Sequence, residues 1–70
     1  MMEFEGYIGI FREECGEHLP ESEVRELEPL FSGKDARRIF LKLEELRTAG
    51  RVPSPRFAKA LTDFFWRFAY

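Results

Sequence analysis

The sequence has little of what membrane-spanning, disulfide-linked or metal-binding proteins need. It contains one cysteine and one histidine, and it has no apolar run of about 18 residues. A single cysteine excludes a disulfide within the chain, and one Cys with one His falls short of the four ligands of a structural zinc site. No signal-like segment is evident at the start. We therefore expect a cytoplasmic protein with no membrane partner and no bound metal.

The parts of an enzyme active site are also missing. The segment SGKD, residues 32–35, suggests a nucleotide-binding loop, but Glu28 replaces the first glycine of that motif and Asp35 replaces its magnesium-binding hydroxyl. Cys15 and His18 lie three residues apart, without an evident third group or oxyanion donors. A cysteine on an apolar stripe is most often a buried small residue. We expect neither catalysis nor a cofactor.

What the sequence does have is aromatic residues and segregated charge. Aromatic residues make up 16% of the 70 positions, and eight of them are Phe. The formal net charge is −2, but residues 1–31 carry nine Glu against two Arg, a balance of −7, and the remaining 39 residues balance +5. Such asymmetry indicates a charged partner, or else an attraction between the two halves of the chain.

Apolar residues recur at helical spacing along the whole chain. This pattern predicts an all-α fold, a small bundle of three to four helices that forms one domain over residues 1–70. The expected helices cover about residues 3–15, 20–28, 34–49 and 55–69. The stripe of the first is Phe4, Ile8, Phe11 and Cys15. Because Gly6 and Gly9 disfavour a helix, a short strand within FEGYIGIF is the alternative.

Particular residues predict where the helices begin and end. Gly16 suggests the end of the first helix, and Pro29 should end the second near residue 28, since its ring meets the carbonyl four residues back. Ser32 with Asp35 resembles a capping arrangement at the start of the third helix. Ser54 followed by proline is typical of the start of a fourth.

Two aromatic residues of the last helix are not explained by its core-facing side. That side consists of Phe57, Leu61, Phe64 and Phe68. At about 100° per residue, Trp66 and Tyr70 fall on the opposite side. We interpret them as anchors for a partner, or as a seam for self-association, because Trp and Tyr dominate binding hot spots. The alternative is that this helix is central and buried on two sides.

The third helix presents a second candidate surface. Lys34, Arg37 and Arg38 should occupy its first turns, where positive charge opposes the helix dipole, and Leu41 joins them on the outward side. This arrangement predicts a surface that faces an anionic group. Pairing of Asp35 with Arg38, and of Lys42 with Glu45, would explain part of the patch without a partner.

The stretch from ESEVREL through GKDARRIFLKLEELRTAGRV resembles a helix-turn-helix or winged-helix unit. The resemblance covers about 30 residues and implies DNA binding by its second helix. It departs from the winged pattern because RVPSPRF leads into another helix, and because the turn contains Pro29.

The function that these patterns favour is that of a small, non-enzymatic interaction or regulatory domain that binds another protein, with self-association as a further possibility. Its contact residues would be Lys34, Arg37, Arg38, Leu41, Trp66 and Tyr70. The alternative is a DNA-binding regulator that uses the helix at 34–49. An acidic first half and a pI of about 5.4 oppose that alternative.

Overall fold

A computed structural model describes residues 2–70, and Met1 lies outside the described residues. The elements are α1 (Phe4–His18), α2 (Glu21–Gly33), α3 (Ala36–Thr48), α4 (Pro55–Phe64) and a π-helix (Phe65–Ala69). Residues 2–70 contain no strand, so the predicted all-α bundle is confirmed and the strand alternative for the first segment is wrong. In the same range, none of the helices combines the length and apolar content needed to cross a bilayer.

The first two helices run further than their breaker residues predicted. Helix α1 passes through Gly16 and ends at His18, where the Leu19 amide donates to the Cys15 carbonyl at 2.9 Å. The prediction that Pro29 ends the second helix is wrong, because α2 continues to Gly33. Leu27 and Phe31, one turn apart on either side of Pro29, are both buried. We attribute the continuation to this packing, which outweighs the cost of about 3 kcal/mol for an interior proline.

The corner between α2 and α3 differs from the predicted cap. Ser32 lies inside α2, and Asp35 is the N-cap residue of α3, where its Oδ1 accepts from the Arg38 amide at 3.2 Å. Lys34 ends α2 in the left-handed region, with φ of 56°. Because α3 begins only at Ala36, the placement of Lys34 in its first turn is a second error.

Helix α4 begins as predicted but does not end as a regular α-helix. The Ser54 hydroxyl accepts from the Phe57 amide at 3.2 Å, and Pro55 occupies the first turn. From Phe65 the backbone is π-helical, and a π turn holds more residues than the 3.6 of an α-helix. As a result Ala69 turns inward and is 4% exposed, whereas Phe68, expected in the core, is 37% exposed.

Phenylalanine rings form the centre of the core. The Phe11 ring of α1 meets the α4 rings of Phe57 and Phe64 edge-on, with centroid distances of 5.9 and 5.3 Å. All three side chains are 0% exposed. Side chains of α2 and α3 complete the same cluster, so α1, α2, α3 and α4 all contribute to one core. It also includes Ile8, Leu27, Phe31, Ile39, Leu43, Val52 and Leu61.

Ion pairs join the acidic first half of the chain to the basic second half. They are Glu5 with Lys34 at 3.4 Å, Glu23 with Arg51, and Arg56 with both Glu13 at 2.8 Å and Glu14 at 3.0 Å. The second explanation of the charge asymmetry, attraction between the halves, therefore accounts for part of it, since three of the nine basic residues after position 31 form these pairs. Charges without such a partner are the ones that bear on binding.

Candidate protein-binding surface

The outer side of α3 exposes the residues that its sequence pattern placed there. Leu41 is 62% exposed, and Arg37 and Arg38 are also exposed, whereas Ile39 and Leu43 on the inner side are 0% exposed. Neither arginine side chain forms an ion pair with any group of residues 2–70. Two basic side chains next to an exposed leucine are thus available to a partner.

The simpler explanation of the basic patch holds for one pair and fails for the other. Lys42 Nζ lies 3.3 Å from Glu45 Oε1, as i,i+3 pairing predicted. Asp35 forms no ion pair with the Arg38 guanidinium, and its carboxylate instead accepts from the Arg38 backbone amide. Lys34 is drawn toward α1 by its ion pair with Glu5, so its charge is already matched within the fold.

Trp66 and Tyr70 lie on the surface at the C-terminal end, 62% and 78% exposed. Their rings stack on each other at 4.9 Å with an angle of 27°. Both rings also meet Phe65 edge-on, Trp66 at 5.2 Å and Tyr70 at 5.9 Å. The pair therefore forms a supported, outward-facing aromatic platform.

Phe65 connects this platform to α3. Its ring packs against that of Phe40 at 4.7 Å, so the four rings of Phe40, Phe65, Trp66 and Tyr70 form a continuous series that we call the aromatic edge. Arg37 lies one turn before Phe40, and Leu41 follows it. The two surfaces predicted separately from the sequence thus adjoin. The sequence interpretation did not identify the connecting roles of Phe40 and Phe65, because a ring contact between two helices is not visible in the periodicity of either helix.

A groove between α2 and α3 was also missed by the sequence interpretation. Its volume is about 420 Å³, and its apolar lining consists of Leu19, Leu27, Leu30, Leu41 and Leu46. Glu23 and Glu26 of α2 line one rim, and Arg38 and Lys42 of α3 line the other. We call it the α2–α3 groove. The outward position of Leu41 was the one feature of the sequence that pointed to this groove. Leu30 lines the groove only because α2 continues past Pro29, which the sequence did not predict.

Buried ionisable groups serve the fold. Glu14 is 6% exposed, and hydrogen bonds from Ser54, the larger effect, and from Arg56 lower the pKa of its carboxyl. These hydrogen bonds link α1 to the start of α4. Burial, with a smaller effect of Glu14, raises the pKa of the Cys15 thiol to about 11. The thiol is therefore protonated near neutral pH, which makes it a poor nucleophile.

One cluster of metal-ligand types occurs on α1. Glu14, Glu17 and His18 each offer a ligand atom, and these atoms lie within 4.8 Å of one another. A Glu14 oxygen already accepts from Arg56 at 3.0 Å, so metal binding would compete with that ion pair. Two carboxylates and one imidazole do not match the Cys and His ligands of a structural zinc site, which also needs a fourth ligand.

We compared the chain with protein-family models, with curated proteins and with solved structures, and none of them matches it. The function is therefore argued from the surface chemistry of this fold: an aromatic edge, an adjoining basic and apolar face of α3, and a groove beside it.

Proposed function

We propose that this chain is a non-enzymatic domain that binds another protein through the aromatic edge together with Arg37 and Leu41. The observation that carries the proposal is the stacked, outward-facing pair of Trp66 and Tyr70, held against α3 through Phe65. Trp, Tyr and Arg are the residue types most enriched at binding hot spots. The unpaired, buried Cys15 thiol fits action in a reducing compartment such as the cytoplasm.

The chemistry of this surface indicates the kind of partner it would bind. Each ring restricts its neighbour, so less side-chain freedom is lost on binding than for isolated exposed rings. The indole N–H and the phenol O–H supply hydrogen-bond donors at the edge of an apolar platform. Arg37, which has no ion pair among residues 2–70, favours a carboxylate opposite. The partner surface would be apolar with acidic groups beside it.

Site-specific photo-crosslinking would test this proposal. A benzophenone amino acid replaces Tyr70 in cells that express the protein, and the same residue replaces Glu17, an exposed side chain of α1, as the matched control. We expect defined protein adducts from position 70 that are absent from position 17. Adding Trp66→Ala with Arg37→Ala to the probe at position 70 should remove them while circular dichroism shows an unchanged fold. Identical adducts from both positions would contradict the proposal.

DNA binding is the second candidate, and one observation favours it. Helices α2 and α3 meet at a short corner, and α3 presents Arg37 and Arg38 outward without ion pairs among residues 2–70. The acidic Glu23 and Glu26 beside α3 would repel phosphates. Titration of a labelled duplex decides: binding at about 50 mM salt that weakens steeply as salt rises supports DNA recognition, and no binding at low salt refutes it.

A further inference from the structure

The two rims of the α2–α3 groove carry opposite charge. The rim from α2 presents Glu23 and Glu26, and the rim from α3 presents Arg38 and Lys42, with leucines between them. An apolar floor bordered by polar rims is the composition of a protein–protein interface. Opposite charge on the two rims adds a condition on what can bind, because an occupant must be basic where it meets α2 and acidic where it meets α3.

Only two of these four rim charges lack partners within the described chain. Glu23 pairs with Arg51, and Lys42 pairs with Glu45. Glu26 and Arg38 form no ion pair with any group of residues 2–70. Both also line the depression that continues the groove toward the α2–α3 corner at Gly33. Both therefore border the same part of the groove, Glu26 on the α2 rim and Arg38 on the α3 rim.

We propose that the groove binds a second copy of this chain in a two-fold symmetric dimer. Two grooves can be placed face to face about a two-fold axis parallel to the groove or about one that crosses it. An axis that crosses the groove places each rim opposite the same rim of the second chain. Acidic groups then face acidic groups and basic groups face basic groups, which costs free energy. The parallel axis puts Glu26 of each copy opposite Arg38 of the other, and the symmetry forms this pair twice.

Leu41 fits the same arrangement. Its side chain is 62% exposed on α3, at the groove's open side. In the dimer each Leu41 would lie over the leucine lining of the facing groove, so the largest exposed aliphatic side chain becomes buried. The self-association seam considered from the sequence was Trp66 with Tyr70. This dimer leaves those rings and Arg37 free but covers Leu41, which the proposed partner surface also includes. The two proposals share that one residue, and they stay distinguishable because Trp66 belongs only to the aromatic edge and Glu26 only to the groove.

Sedimentation of charge-reversed variants tests the dimer. At about 0.5 mM the wild-type chain should sediment with twice its 8.3 kDa mass. Glu26→Arg and Arg38→Glu should each weaken dimerisation by at least about tenfold, since each places like charges opposite one another. Glu17→Arg and Lys59→Glu make the same charge changes at exposed positions outside the groove and should leave it unchanged.

Mixing the two groove variants provides the sharper result. Glu26→Arg and Arg38→Glu can form one reversed and one native pair across a mixed dimer, so their mixture should dimerise more tightly than Glu26→Arg or Arg38→Glu separately. Native mass spectrometry with one isotope-labelled chain would identify the mixed species. A monomeric wild type at about 0.5 mM overturns the inference. So does a dimer that survives both charge reversals but dissociates in Trp66→Ala, because the interface would then be the aromatic edge.

Discussion

Comparison of Phe11→Leu with Trp66→Leu would show whether the aromatic edge is a spare surface or part of the core. Each side chain makes two ring contacts: Phe11 with Phe57 and Phe64, and Trp66 with Phe65 and Tyr70. They differ in burial, because Phe11 is 0% exposed and Trp66 is 62% exposed. The number of ring contacts is therefore matched, and burial is the variable.

The expected magnitudes follow from that difference. Leucine at position 11 keeps an apolar side chain but loses two buried edge-on ring pairs, each worth about 0.5–1.5 kcal/mol, so the free energy of unfolding should fall by about 1–3 kcal/mol. A chain of this length has a total stability of about 4–10 kcal/mol. The corresponding fall in Tm is about 5–20 °C. Trp66→Leu should change the free energy of unfolding by less than about 1 kcal/mol, as for most exposed substitutions.

Urea unfolding followed by far-ultraviolet circular dichroism would measure both free energies, and equal slopes would verify that the variants unfold from comparable native states. A Trp66→Leu cost as large as that of Phe11→Leu would place Trp66 in the core and remove the reason for proposing a binding surface there. A Phe11→Leu cost below about 0.5 kcal/mol would refute the assignment of the ring cluster as the centre of the core.

Three further predictions concern single residues. Because folding lowers the pKa of Glu14 from its ordinary value of 4.5, its ionised form stabilises the protein above that pH, and this contribution is lost as pH falls through the lower folded pKa. Urea unfolding at pH 7 and at pH 3 should therefore show a smaller loss of stability on acidification for Glu14→Gln than for the wild type, and equal losses would disprove the role of Glu14. The Cys15 thiol, buried and with a pKa of about 11, should react with a disulfide reagent only after unfolding in urea, and rapid reaction of the native protein would contradict its burial. Pro29→Ala should restore a missing amide donor within α2 and raise the free energy of unfolding by about 1–2 kcal/mol, after allowance for the greater freedom of the unfolded chain; a lower stability would show that the proline ring itself contributes to packing.

The number and type of helices were predictable because each helix carries an apolar stripe with helical period. The start of α4 was predictable too, since Ser54 with Pro55 is a local signal that requires no knowledge of packing. The end of α2 was not predictable by the same local reasoning. Pro29 is a valid breaker, but Leu27 and Phe31 are buried by other helices, and that energy is invisible until the helices are assembled.

The candidate surface was predictable only in pieces. Helical period placed Arg37, Leu41, Trp66 and Tyr70 on outward sides, where the structure has them exposed. Their connection through Phe65 depends on the π-helical backbone after Phe64, for which the sequence offers no recognised signal. The α2–α3 groove depends on the relative position of two helices, a tertiary property that periodicity within each helix does not contain.

The separation of charge along the sequence is better understood in three dimensions than as evidence for a polyanionic partner. Exposed ion pairs contribute little stability each, but a pair between distant segments favours one arrangement of helices over others. Pairs such as Glu5 with Lys34 and Glu23 with Arg51 match the acidic half to the basic half in this way. A partner can respond only to charges that the fold leaves unmatched. On the α2–α3 groove these are one acid and one base on opposite rims, which is the arrangement that a copy of the same surface complements and a uniformly charged polymer does not.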